Sequence, residues 1–144
     1  MKDFRQLARK INLINYRTDQ IYYDYERKHN ISDSEVCLMY ALDDGGSYSQ
    51  KQICEDWHIP KTTLNTIIKQ WEKLGYIELK SMPGKRREMA ITLTSTGKIY
   101  ILGYLQPIYE AEEKAMRDTL EKYPDFIEAS AYFENKLRDR LKQK

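Results

Sequence analysis

The sequence predicts a mostly α fold with one small β-hairpin, and three observations predict it. Apolar residues recur at helical spacing along most of the chain, from Phe4 to Tyr25 and again from Ile101 to Leu141. The period shortens to two only at Tyr76 to Lys80 and at Met89 to Thr94, where Ile77 and Leu79, then Met89, Ile91 and Leu93, alternate with polar neighbours. Between those runs, Ser81-Met82-Pro83-Gly84-Lys85-Arg86-Arg87-Glu88 contains a Pro-Gly pair, which marks a turn.

In order along the chain, Phe4 to Lys28 reads as one long helix ended by Asn30. Phe4, Leu7, Ile11, Ile14, Ile21, Tyr22 and Tyr25 form its apolar stripe. A second helix starts at a capping box, Ser32 with Glu35. It presents Val36, Leu38, Met39, Tyr40 and Leu42, and stops at Asp43-Asp44-Gly45-Gly46. Ser49 with Gln52 is a second capping-box signature, opening a short helix whose apolar side is Ile53, Cys54 and Trp57.

His58 and Ile59 leave only a few residues before the next helix, which is helix-turn-helix spacing. Pro60 suits the first turn of that helix, where its missing N–H has no intrahelical use. From Thr62 to Leu74, the residues Leu64, Ile67, Ile68, Trp71 and Leu74 make one buried face. The opposite face carries Thr62, Asn65, Thr66, Lys69 and Lys73. Short hydrogen-bonding groups come first and ammonium groups later, which suits base edges at one end and phosphates beyond. Gly75 stands where a helix C-terminal glycine belongs. Two short strands around a basic loop, directly after a helix-turn-helix, make a winged helix.

After the wing, Thr94 is a candidate N-cap for a helix through Ile101, Leu102, Leu105, Ile108, Tyr109 and Met116, with Pro107 inside it as a kink. Pro124 is expected to begin a last helix with Phe126, Phe133, Leu137 and Leu141 on one side. The stripes of the first and last helices exceed what a winged helix of about 60 residues can cover, and imply a partner chain.

The helix-turn-helix, then Trp71-Glu72-Lys73-Leu74-Gly75-Tyr76-Ile77-Glu78-Leu79, then a basic wing ending in Leu93-Thr94-Ser95-Thr96-Gly97, resembles the MarR-type (multiple antibiotic resistance) transcriptional regulators over nearly the whole chain. The resemblance implies a homodimer, with helical dimerisation regions at 1–30 and 98–144 and a winged helix-turn-helix DNA-binding domain at 31–97. It implies a pseudo-palindromic operator of double-stranded DNA, read by recognition helices in major grooves and by wings in minor grooves.

The DNA-contacting residues expected are Lys61, Thr62, Thr63, Asn65, Thr66 and Lys69 of the recognition helix, with Lys85, Arg86 and Arg87 of the wing. The chain departs from the family pattern in places. The family's wing acid, which braces an arginine two residues on, falls at Lys85, with Arg87 as the arginine. Glu88 is left as the candidate substitute, and a more mobile wing is expected. The family's recognition-helix arginine falls at Thr66, and its small polar cap at Pro60. MarR-type proteins often bind small aromatic effectors where dimer and DNA-binding layers meet. Tyr16, Tyr22, Tyr23, Tyr25, Tyr40, Tyr100, Tyr104 and Tyr109 are the tyrosines on the helices concerned, with aromatic filling of a dimer core as the competing use.

Net charge is only +2, yet residues 60–98 hold eight lysines and arginines against three glutamates, so the basic excess is concentrated in the proposed binding segment. No apolar run approaches the ~20 residues of a membrane span. The N-terminus has no apolar h-region, so a cytoplasmic protein is expected.

Cys37 and Cys54 lack metal-site spacing and read as small core residues, with a cysteine-based redox sensor as an alternative. His29 at a helix end suits the macrodipole, and His58 occupies a turn where glycine is common, so its role is backbone conformation. Glu110, Glu112 and Glu113 with Lys114 and Arg117 read as a solvated, ion-paired helix face. No phosphate loop, nucleophile elbow or metal motif is present, so neither an enzyme nor a cofactor is expected. A winged-helix dimer serving as a protein-interaction scaffold, without specific DNA binding, is the other alternative.

Overall fold

The computed structural model describes residues 1–85 and 87–143. The expected wing contact Arg86 lies outside the described residues. The elements are α1 (Phe4–His29), α2 (Asp33–Leu42), β1 (Tyr48–Ser49), α3 (Gln50–Trp57), α4 (Lys61–Lys73), β2 (Ile77–Ser81), β3 (Met89–Leu93), α5 (Ser95–Lys122) and α6 (Phe126–Lys142). The chain divides into two compact units, Met1–Ile101 and Leu102–Lys144.

In the first unit, the Asp3 carboxylate caps α1 by accepting from the N–H groups of Arg5 (3.0 Å) and Gln6 (3.1 Å). Asn30 ends α1 in the left-handed conformation (φ 54°), a role asparagine tolerates better than most residues. The stripe residues Phe4, Leu7, Ile11, Ile14 and Ile21 are exposed, and Tyr22 and Tyr25 are half-buried. The capping box of α2 is complete. Ser32 Oγ accepts from Glu35 N–H at 3.3 Å, and Ser32 N–H donates to Glu35 Oε2 at 2.9 Å.

The core of this unit gathers Val36, Leu38, Met39 and Leu42 of α2, Ile53 of α3, Ile59, and Leu64, Ile67, Ile68 and Trp71 of α4. Ile77, Ile91 and Leu93 of the strands complete it. Each such aliphatic side chain contributes roughly 1.5–3 kcal/mol on burial.

The sheet has three strands rather than the two expected, in the order β1-β3-β2, all antiparallel. Tyr48 pairs with Ile91 and Ser49 with Ala90, while Ile77, Leu79 and Ser81 pair with Leu93, Ile91 and Met89.

Four expectations are corrected. Leu74 is 52% exposed, because the helix ends there and the residue turns out of the buried face. Met89, at the wing end of β3, is also exposed, and so is Trp57 at the last position of α3. Pro60 sits at the N-cap of α4 rather than within its first turn, and it offers no side-chain cap.

In the second unit, α5 continues through Pro107 to Lys122. The last helix begins at Phe126, not at Pro124. A turn in which Phe126 N–H donates to the Tyr123 carbonyl (3.1 Å) comes first. Phe126, Phe133, Leu137 and Leu141 of α6 are exposed, and none of its residues is buried. Arg117 pairs with Glu113 at 2.7 Å on a solvated face, and Arg138 pairs with Glu134. No helix among the described residues is long and apolar enough to cross a membrane.

Candidate nucleic-acid interface

The helix-turn-helix is set by one residue in an unusual conformation. His58, between α3 and α4, has φ 52°, the left-handed region that favours glycine, which is the backbone role expected for it. The chain thereby reverses within three residues, and Ile59 drops into the core. From Lys61 onward, α4 buries Leu64, Ile67, Ile68 and Trp71 and leaves Lys61, Thr62, Thr63, Asn65, Thr66 and Lys69 exposed. All six recognition-helix candidates therefore lie at the surface of one helix. Thr66 Oγ1 donates to the Thr62 carbonyl at 3.1 Å, so its hydroxyl proton is engaged within the helix.

The far end of α4 is fixed equally closely. Tyr76 N–H donates to the Trp71 carbonyl (2.9 Å) and Gly75 N–H to the Glu72 carbonyl (3.0 Å), with Gly75 at φ 76°. This is the Schellman arrangement, which satisfies two otherwise unpaired helix carbonyls. Thr94 completes the junction. Its hydroxyl donates to the Gly75 carbonyl at 2.5 Å and accepts from Gly97 N–H at 3.0 Å, capping α5 as expected. Tyr76 stacks on Tyr100 with centroids 4.2 Å apart, and Trp71 meets both rings edge-on at 6.1 and 5.7 Å.

In the wing, Gly84 takes φ 76°, and Met82 N–H donates across the turn to the Glu88 carbonyl at 3.3 Å. Lys85 Nζ lies 3.2 Å from Glu88 Oε2. The acid that the wing lacks at position 85 is thus present at 88, but it holds the lysine. Lys85 and Arg87 are exposed. An exposed pair of this kind is worth about 0–1 kcal/mol.

Sequence reasoning missed the contribution of β1. Ser47 Oγ lies 2.6 Å from Thr92 Oγ1, and Ser49 both pairs with Ala90 and caps α3 by accepting from Gln52 N–H at 3.1 Å. Two residues carry no periodicity, so no signal in the sequence marks that strand.

Cys37 and Cys54 are half-buried and free, and burial pushes both thiols above their ordinary pKa. Asp33 and Glu26 raise Cys37 further, whereas Lys61 partly offsets the effect at Cys54. Among the described residues, no cluster of three or more His, Cys, Asp or Glu is arranged to hold a metal ion. The tyrosines of the first unit do not form one group. Tyr16 and Tyr23 are exposed, Tyr40 stacks on Trp57, and Tyr100 belongs to the Trp71 cluster.

Residues 29–88 match the model of the MarR family. No curated protein matches the chain. A MarR family regulator from Neisseria meningitidis is 25% identical, with 100% of each chain covered and a TM-score of 0.59. The chain also shares its fold with NadR in complex with 4-hydroxyphenylacetate (20% identity, 81% of this chain and 87% of that chain, TM-score 0.59). A third structure with this fold is reduced AbfR bound to DNA (17% identity, 95% and 99%, TM-score 0.64).

Proposed function

We propose that the chain is a MarR-type transcriptional regulator binding a pseudo-palindromic operator as a homodimer, a reading supported by the match of residues 29–88 to the MarR family model. The observation that carries the reading is the exposed face of α4. Threonines and Asn65 occupy its first turns, Lys69 follows, and the opposite face is locked into the core. Asn65 is the residue assigned to base readout, because an amide bonds adenine N6 and N7 together, worth roughly 1–3 kcal/mol against a wrong base. Thr62 and Thr63 contribute hydroxyl and methyl contacts. Thr66, with its proton engaged, contributes its methyl to thymine.

Lys61, Lys69, Lys85 and Arg87, with Arg86, hold phosphates and fix register. The AbfR complex with DNA supports this mode of binding. The exposed stripes of α1 and α6 support the dimer through residues 1–30 and 98–144. Control by a small aromatic ligand is the finer part of the reading, supported by the 4-hydroxyphenylacetate bound to NadR.

Selection of bound duplexes from a random pool tests the reading. The wild type is expected to select two A·T-leaning half-sites about 10–10.5 base pairs apart, or a multiple of that. Asn65→Ala is expected to lose preference at one position in each half. An asymmetric site, or identical preferences for both proteins, overturns this reading of α4, and the absence of any enriched sequence favours a protein-interaction scaffold. Equilibrium sedimentation checks the dimer, and a stable monomer at micromolar concentration refutes it.

A further inference from the structure

A small cavity opens between α2, the loop after it, β1 and α3, with a volume of about 150 Å³. Its walls include Tyr40, Tyr48 and Trp57, its carboxylates are Asp44 and Asp56, and Ile53 contributes an apolar surface. None of the residues lining it is a lysine, arginine or histidine. We propose that this cavity binds a small alkylammonium cation.

The choice of ligand follows from the lining. Aromatic rings attract a cation through their quadrupole when it lies within about 6 Å of a ring centroid. Two carboxylates add formal negative charge beside three such rings. Asp44 keeps its charge readily, because the Tyr48 hydroxyl and then the Gly46 N–H donate to it and hold its carboxyl below the usual range. Neither Asp44 nor Asp56 forms a salt bridge to a lysine or arginine among the described residues. A carboxylate or phenolate ligand would meet only like charge here.

The aromatic walls include a stacked pair and a ring folded over a glycine. Ile53, one turn earlier on α3, is buried, whereas Trp57 is 40% exposed and stacks on Tyr40 with planes 7° apart and centroids at 6.2 Å. Tyr48 is folded over Gly46 so closely that a Cβ there would lie 2.7 Å from its hydroxyl oxygen. Only glycine at 46 lets the ring lie where it does.

Size narrows the ligand further. A volume of about 150 Å³ suits a small quaternary ammonium ion such as tetramethylammonium or the head of choline. Its lining is opposite in charge to what an aromatic-acid effector needs, and the proposal does not depend on what α4 binds.

The test is an NMR titration of the full chain with choline and with tetramethylammonium, at ionic strength matched by sodium chloride. The carbon isostere of choline, in which carbon replaces nitrogen, runs in parallel. Both cations are expected to shift the Trp57 indole N–H saturably while the buried Trp71 signal stays in place. The isostere is expected to bind at least about five-fold more weakly. Asp56→Asn changes an exposed side chain, and it is expected to weaken choline binding several-fold with the Trp71 signal unmoved. Gly46→Ala displaces Tyr48 and is expected to weaken it too. Equal affinity for choline and its isostere overturns the proposal, as does undiminished binding in Asp56→Asn or the absence of a saturable shift up to tens of millimolar.

Discussion

Gly97 in the first turn of α5 lies so close to the Tyr76 carbonyl that a Cβ at position 97 would stand 1.9 Å from its oxygen. That oxygen already accepts the Thr94 N–H at 3.0 Å. The exit from α4 and the entry to α5 are therefore pressed together, backbone against backbone, with Thr94 bridging them.

Gly97→Ala is expected to destabilise the chain by about 1–3 kcal/mol or more, since the obstacle is backbone and cannot rotate away. Denaturant unfolding of the two proteins checks it. An unchanged midpoint would mean that α5 enters differently.

Glu26 is 8% exposed in the last turns of α1, and burial, followed by repulsion from Asp33, raises its pKa. The helix C-terminus adds a further penalty on negative charge there. Because the folded pKa lies above the unfolded one, the fold is favoured at acid pH. It loses stability as pH rises from the ordinary carboxylate value through the raised one. Glu26→Gln is expected to melt higher than wild type at neutral pH and to approach it in acid. Melting curves across that range decide the matter, and parallel profiles would refute the role of the charge.

On the proposed function, Arg87→Ala should weaken binding to every duplex and reduce the slope of log K against log salt by about 0.9 for one lost phosphate contact. Glu88→Gln should act in the opposite direction, because it releases Lys85 from its 3.2 Å pair. Binding isotherms at several salt concentrations measure both. Unchanged slopes in both variants would remove the wing from the interface.

Replacing Cys37 and Cys54 together by alanine should cost about 1 kcal/mol each in packing and leave DNA affinity unaltered. Both thiols are pushed up, so little reactive thiolate is present near neutral pH. Release of the wild type from DNA by mild peroxide, with the variant still bound, would instead establish a redox sensor.

Much of this was legible because the signals are local. The Ser32–Glu35 box, the glycine at 75, the left-handed His58 and the buried face of α4 each depend on residues a few positions apart. What escaped depends on distance or on exact ends. The strand at Tyr48 and Ser49 is defined only by its pairing with Ile91 and Ala90, more than forty positions away, and Pro124 looks like a helix start until the turn at Tyr123 is seen. The wing's ionic arrangement was half visible. Lys85 stood out as a departure, but only the fold shows that Glu88 reaches it.

Ser49 belongs at once to the strand that pairs with the wing and to the cap that starts α3. No flexible segment separates the two, so the wing hairpin and the helix-turn-helix share one mechanical frame. A force that lifts the wing must pull on the first turn of α3, and a displacement of α3 must tilt the wing. The two surfaces are thus geared, and whatever repositions one sets the spacing of the other.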